Sequence, residues 1–182
     1  MEVVNLGLKS NRTFNIIGQK QRDVCRALGC VGILEKSLAA KSFGKEALNE
    51  LKENGIIKTF NSYDTGKINR IYHLTEKGKK YTRKHLVYGS LYRWNKLQVK
   101  HDKKLGEIYL SLSRSEKKSW RNESQIRKYS NDKVSGIDGS YTADDGREIA
   151  VEVVTSSYST KTFQEKVKVM REHFQGVNVR YA

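Results

Sequence analysis

An α+β fold in two successive parts is predicted for this 182-residue chain, and three observations predict it. Apolar residues recur at helical spacing up to Gly55, then give way to two strand-like runs around a polar turn. Beyond residue 96 a second pattern begins, in which an amphipathic helix precedes a strand that is apolar on both faces. The charge also changes: residues 1–98 hold 19 Lys and Arg against 8 Asp and Glu, net +11, whereas residues 99–182 hold 16 against 12, net +4. A chain of this length can bury two modest cores, so domains are expected at 1–96 and 97–182.

The elements follow in order. A first helix is predicted over 21–28, with Val24, Ala27 and Leu28 inward, and Cys30-Val31-Gly32 makes a turn. A second is predicted over 33–40, with Leu34, Leu38 and Ala39 inward. The third, over 42–54, rests on Phe43, Ala47, Leu48 and Leu51, which gather on one face. Ser42 is placed to cap it, and Gly55 can adopt the left-handed conformation that stops it. Its outer face carries Lys45, Glu46, Asn49, Lys52 and Glu53. Residues 56–60 and 68–74 read as strands and 61–67 as the turn between them. A long helix over 75–92 then leads to Trp94, with the junction between the parts near 95–99.

Composition narrows the function classes. The formal charge is +15 and the sequence pI about 9.8, which suits a polyanionic partner. No run approaches the roughly 18 apolar residues of a membrane span, and 1–5 lack a basic segment leading into an apolar run. A cytoplasmic protein without a membrane partner is expected. Cys25 and Cys30 match neither a zinc spacing nor a disulfide framework, so buried free thiols are expected. The absence of proline excludes rigid proline linkers.

Three helices, a hairpin and a basic helix in succession are the order of a winged helix-turn-helix, which points to double-stranded DNA. The outward row on the third helix suits a major groove, with Ser42, Lys45 and Asn49 as candidate base readers and Lys52 beside them. Lys67 and Arg70 stand at the hairpin tip and return strand, where a wing touches the phosphate backbone. Between Lys67 and Arg93 there are eight cations against the single acid Glu76. Among them Lys79, Lys80, Arg83 and Lys84 are further candidates for phosphate contact. The stretches Leu51-Lys52-Glu53-Asn54-Gly55-Ile56-Ile57 and Tyr72-His73-Leu74-Thr75-Glu76-Lys77-Gly78 resemble the two junctions of bacterial winged-helix DNA-binding proteins.

In the second part, His101, Leu105, Ile108 and Leu112 keep helical spacing over 99–113, with Tyr109 beside them. A polar segment with Trp120, Glu123 and Ile126 follows. Residues 135–141 read as a strand bearing Asp138, 143–147 as a tight turn, and 148–155 as a second strand. The second strand is apolar on both faces except at Glu152, and an acid there must be paired, protonated or metal-bound. Asp138 and Glu152 could meet at the sheet's end, and two converging carboxylates can hold a divalent cation. A closing helix has capping-box spacing from Thr162 to Glu165 and an inward stripe of Phe163, Val167, Met170 and Phe174. Lys166 borders that stripe and can lean over the sheet end. Glu107 is a weaker candidate for a third acid.

Asp138, Glu152 and the spacer Val153 resemble the core of the restriction-endonuclease-like fold, but Val154 stands where that pattern has its lysine. Some members of that superfamily carry the lysine on the following helix, where Lys166 lies here. The resemblance implies Asp138 and Glu152 as metal ligands, Lys166 as the charge-stabilising group, and magnesium or manganese as cofactor if the site cleaves. The whole order, from the winged helix through His101, Trp120, Asp138 and Glu152 to Lys166, resembles the replication-relaxation family. These are accessory proteins of plasmids, phages and conjugative elements that join a winged helix to a nuclease-like domain. Here Val154-Thr155-Ser156 replaces the Asp-Arg-Gly that the family favours. The expectation is a sequence-specific DNA-binding protein of a bacterial mobile element, acting in replication, transfer or transcription control. Its nuclease-like domain is expected to be inactive, DNA binding to need no cofactor, and a homodimer or replication and transfer proteins to be plausible partners. The alternative is a metal-dependent endonuclease or nickase.

Overall fold

The computed structural model of the protein describes residues 18–182 except 65–66, 88, 131–133, 135 and 157. It is a mixed α+β chain, with two sheets among the described residues. The first half runs α1 (Gln19–Val31), β1 (Ile33–Glu35), α2 (Lys36–Phe43), α3 (Lys45–Glu53), β2 (Ile57–Asp64), β3 (Lys67–Leu74) and α4 (Glu76–His85). Its antiparallel sheet has the order β1-β3-β2. The second half runs α5 (Val99–Ser111), α6 (Arg114–Ser119), β4 (Arg121–Asn122), α7 (Glu123–Tyr129), β5 (Gly139–Thr142), β6 (Glu148–Val154), α8 (Thr160–His173) and β7 (Gly176–Tyr181). There the order is β4-β5-β6-β7, with β6 and β7 parallel across the α8 crossover.

Several elements differ from expectation, each for a local reason. The predicted helix over 33–40 starts as a strand instead, because Ile33, Leu34 and Glu35 pair with His73, Tyr72 and Ile71. The helix predicted from Ser42 begins at Lys45. Gly44, at φ 87°, breaks the chain there, so Ser42 belongs to the last turn of α2 and Gly44 stands at the α3 N-cap. The turn predicted over 61–67 is mostly strand, since pairing continues from Asn61↔Arg70 to Asp64↔Lys67. What remains of it, Thr65 and Gly66, lies outside the described residues.

The helix predicted over 75–92 ends at His85. Beyond it the chain runs back along α1, where Tyr92 N–H bonds Gly29 O at 2.9 Å and Val87 and Leu91 are buried. Gly29 makes this possible: a Cβ there would sit 2.8 Å from Thr82 and 3.1 Å from Val87. Asp138 precedes β5 rather than lying on it.

α5 packs against α1 and β1, and a Cβ at Gly106 would stand 3.0 Å from Ile33 O. One buried cluster takes in Leu28, Leu34, Leu51, Leu105, Ile108, Trp120, Val151 and Val153. Side chains from both sides of residue 96 thus share a core. A second cluster, with Ile126, Ile137, Ala150 and Met170, lies between α8 and the second sheet. Cys25 and Cys30 are buried free thiols, each pushed up to about 12 by burial. Among the described residues no helix is long and apolar enough to cross a membrane.

Candidate functional site

Two places gather the chemistry. The first is a groove of about 610 Å³ between the α2–α3 corner and the start of β3, lined among others by Lys45, Asn49, Asn69 and Arg70. Burial of Ala47, Leu48 and Leu51 turns one face of α3 inward and leaves Lys45, Asn49 and Lys52 exposed. Glu35, an acid in the groove wall, is balanced by Lys103 at 3.2 Å. Its carboxyl is held below the usual range by the Ser37 hydroxyl and by Lys103. None of Lys45, Lys52, Lys67 and Arg70 forms an ion pair among the described residues.

Of the residues expected to contact DNA, Lys45, Asn49 and Arg70 share this groove. Ser42 is exposed on α2, Lys52 lies two turns further along α3 than Lys45, and Lys67 is exposed at the start of β3. Lys79, Lys80, Arg83 and Lys84 are on α4, which begins beyond the other end of β3 and does not line the groove. Lys79 is also engaged by Glu76 at 2.7 Å.

The second place is the carboxylate cluster beside β6. Glu152 is fully buried in the sheet, opposite Val179 of β7. Its Oε1 accepts from Lys166 Nζ at 2.5 Å and from Tyr158 O–H at 2.7 Å, and Lys166 also reaches Tyr158 at 2.6 Å. Burial and the neighbouring Asp138 charge push the Glu152 carboxyl above its usual range, while Lys166 and Tyr158 oppose the rise. Burial alone would pull the Lys166 ammonium down, but its bonds to Glu152 and Tyr158 outweigh this and hold it up. Burial pushes Tyr158 up to about 12.

Asp138 Oδ2 accepts the Val153 N–H at 2.7 Å and lies 3.0 Å from His101 Nε2. The other ring nitrogen of His101 lies 3.0 Å from Asp102 Oδ1. Asp102 is itself fully buried and accepts from Tyr92 O–H at 2.8 Å. Burial disfavours charge on His101, yet the two aspartates win and raise it to about 10. The result is an imidazolium clamped between two carboxylates.

Asp138, Glu152 and Lys166 are therefore brought together, with Glu107 left exposed and paired to Lys104 at 2.8 Å. Asp102, Tyr92 and Tyr158 are parts of this network that sequence reasoning missed. The available signal was the adjacent His101-Asp102 pair on an otherwise apolar helical stripe. A polar cleft of about 590 Å³ opens over the cluster, walled by Ser62 and Tyr63 of β2 on one side and His101, Asp138 and Lys166 on the other.

The cluster can be tested for fit to a divalent cation. Glu152 Oε2 is buried without a hydrogen-bond partner among the described residues, which leaves one oxygen to offer. Each carboxylate, however, already has a cation in contact, Lys166 on Glu152 and His101 on Asp138. Adding a doubly charged ion beside two resident cations is opposed by Coulomb repulsion, so this arrangement does not fit one. No protein-family model, no curated protein and no solved structure matches the chain.

Proposed function

We propose that this protein binds double-stranded DNA sequence-specifically, with α1 to β3 acting as a winged helix-turn-helix. In this reading α3 enters the major groove and the β2–β3 hairpin is the wing. The observation that carries it is the shared groove: Lys45, Asn49 and Arg70 come from two separate elements yet line one cavity, and neither Lys45 nor Arg70 forms an ion pair among the described residues. Asn49 offers the amide that suits an adenine edge, and Lys45 and Arg70 suit guanine or phosphate.

The order of elements fits an accessory role in replication, transfer or transcription control in a bacterial mobile element, as in the replication-relaxation family. The second half is then a nuclease-like domain without cleavage, in which His101 and Lys166 neutralise the carboxylates. A gel-shift titration against a library of duplexes, at physiological salt, tests the reading. A preferred sequence should emerge, bound at least about a thousandfold tighter than random DNA. Equal affinity for every duplex would overturn it.

A second reading, a magnesium- or manganese-dependent endonuclease or nickase, is favoured only by the buried, unpartnered Glu152 Oε2, and it would need Lys166 or His101 to give way to the metal. It requires nicking of supercoiled DNA with either metal, lost in Asp138→Ala and in Glu152→Ala. Intact supercoiled DNA in both metals would eliminate it.

A further inference from the structure

A cavity of about 650 Å³ lies between the end of α1, the chain after α4 and the α6–α7 segment. It shares no lining residue with the groove on α3 or with the carboxylate cleft. Among the described residues all of its charged lining residues are cations: Arg26, Lys117, Lys118, Arg121 and Lys128. Asp23 and Glu148 offset Arg26 and Arg121, at 3.5 and 2.6 Å. Lys117, Lys118 and Lys128 have no carboxylate in contact among the described residues, although Lys117 Nζ donates to Leu110 O at 2.8 Å. Such a rim selects an anion.

The rest of the lining is apolar and aromatic. Leu86, Val87 and Trp120 contribute to it, and Tyr129 stands at its edge with 74% of its surface exposed. The Arg121 guanidinium lies 4.2 Å from the Tyr129 ring centre, which fixes the ring and leaves its other face for stacking. Trp120 is 5% exposed, and its indole N–H has no acceptor among the described residues. Serine hydroxyls at Ser90, Ser119 and Ser124 complete the wall. Burial also holds the Lys117 ammonium below its usual range, and a charge in such a setting gains more from an anion than one in open water.

From the cationic rim, the exposed stacking ring and the apolar floor, we infer that this cavity binds a nucleotide. The planar base stacks on Tyr129 and the phosphate meets Lys117, Lys118 and Lys128. The volume is that of an ordinary small-ligand site, and a base on an aromatic ring beside cations is how unpaired nucleotides are generally held. The nucleotide is either free in solution or the unpaired end of a strand; the recognising chemistry is the same. The inference does not depend on duplex binding by α3.

The test uses the full chain labelled with nitrogen-15. Its two tryptophans give two indole N–H signals, assigned with Trp94→Phe. The protein is titrated with dAMP, with a 5′-phosphorylated single-stranded oligonucleotide, with a blunt duplex and with inorganic phosphate. The Trp120 signal should move saturably while that of Trp94 stays, with dAMP if the ligand is a free nucleotide, or with the single strand alone if it is a strand end. Tyr129→Ala, on a largely exposed ring, should weaken that binding about tenfold, the equivalent of one lost stack. Lys118→Glu combined with Lys128→Glu should abolish it, with gel-shift of the duplex unchanged. A Trp120 signal unmoved by both dAMP and the single strand overturns the inference. So does inorganic phosphate or the duplex titrating it as tightly as either.

Discussion

Lys166 Nζ lies 2.5 Å from Glu152 Oε1, so a helix ammonium reaches into a sheet to meet a fully buried carboxylate. The carboxylate would not be tolerated there alone, because an unpaired buried charge costs several kcal/mol. Lys166→Met is expected to lower stability by about 3 kcal/mol. Adding Glu152→Gln should recover most of that loss, since the amide carries no charge to strand. Urea unfolding of the single and double variants checks this, and additive losses would refute the coupling.

The His101 imidazolium between Asp138 and Asp102 gives stability a defined pH dependence. Its pKa is raised on folding from 6.5 to about 10, so the folded state binds the proton more tightly than the unfolded chain. The contribution is complete below the unfolded value and drains away as pH rises through the folded one. Unfolding free energy is expected to fall between neutral pH and about 10. His101→Gln should flatten that fall, as measured by urea unfolding across the range. An equal slope in wild type and variant would show that the imidazole is not its source.

The groove residues should separate affinity from specificity. Arg70→Ala, if Arg70 meets a phosphate, should weaken all duplexes alike and reduce the slope of log affinity against log salt by about one. Asn49→Ala should instead relax preference at one base pair, at a cost of about 1–3 kcal/mol on the best site only. Affinities over a salt series on matched and mismatched duplexes distinguish these outcomes. A uniform loss in Asn49→Ala would remove it as a base reader.

Gly78 sits in the first turn of α4, where alanine would ordinarily favour the helix. A Cβ there would lie 2.1 Å from Ile56 O, a backbone atom that cannot step aside. Gly78→Ala is therefore expected to destabilise by about 2 kcal/mol or more. Thermal unfolding reads this directly, and a stabilised variant would mean that α4 does not press on the start of β2.

The sequence is most legible where periodicity and burial agree. The stripe of Ala47, Leu48 and Leu51 marks α3, and the doubly apolar run around Glu152 marks a strand that is buried along almost all its length. Boundaries were harder wherever long-range pairing overrode local preference. Ile33 to Glu35 look helical in isolation and become strand only because β3 supplies partners. Asn61 to Asp64 have turn composition, yet the ladder carries them on. β7 went unforeseen: its signal, Val177, Val179 and Tyr181 alternating, is too short to stand out, and its partner β6 lies across a whole helix. α6 and α7 did carry a readable mark, in the reciprocal caps Ser113 with Glu116 and Asn122 with Gln125.

At the site, the meeting of Asp138, Glu152 and Lys166 could be anticipated from strand order and helix stripe. The arrival of His101 could not. It depends on α5 packing beside the second sheet, a distance relation that spacing along the chain does not encode.

Gly44 is the sole residue between α2 and α3, at φ 87° with open space where a Cβ would stand. A corner this short has no slack, so the angle between the two helices is settled when the chain folds, before any ligand arrives. Binding through α3, as proposed, would then require no loop to be frozen, and little conformational freedom would be lost on forming the complex. On the proposed reading, lengthening that corner by a few flexible residues would weaken binding without touching a single contacting side chain.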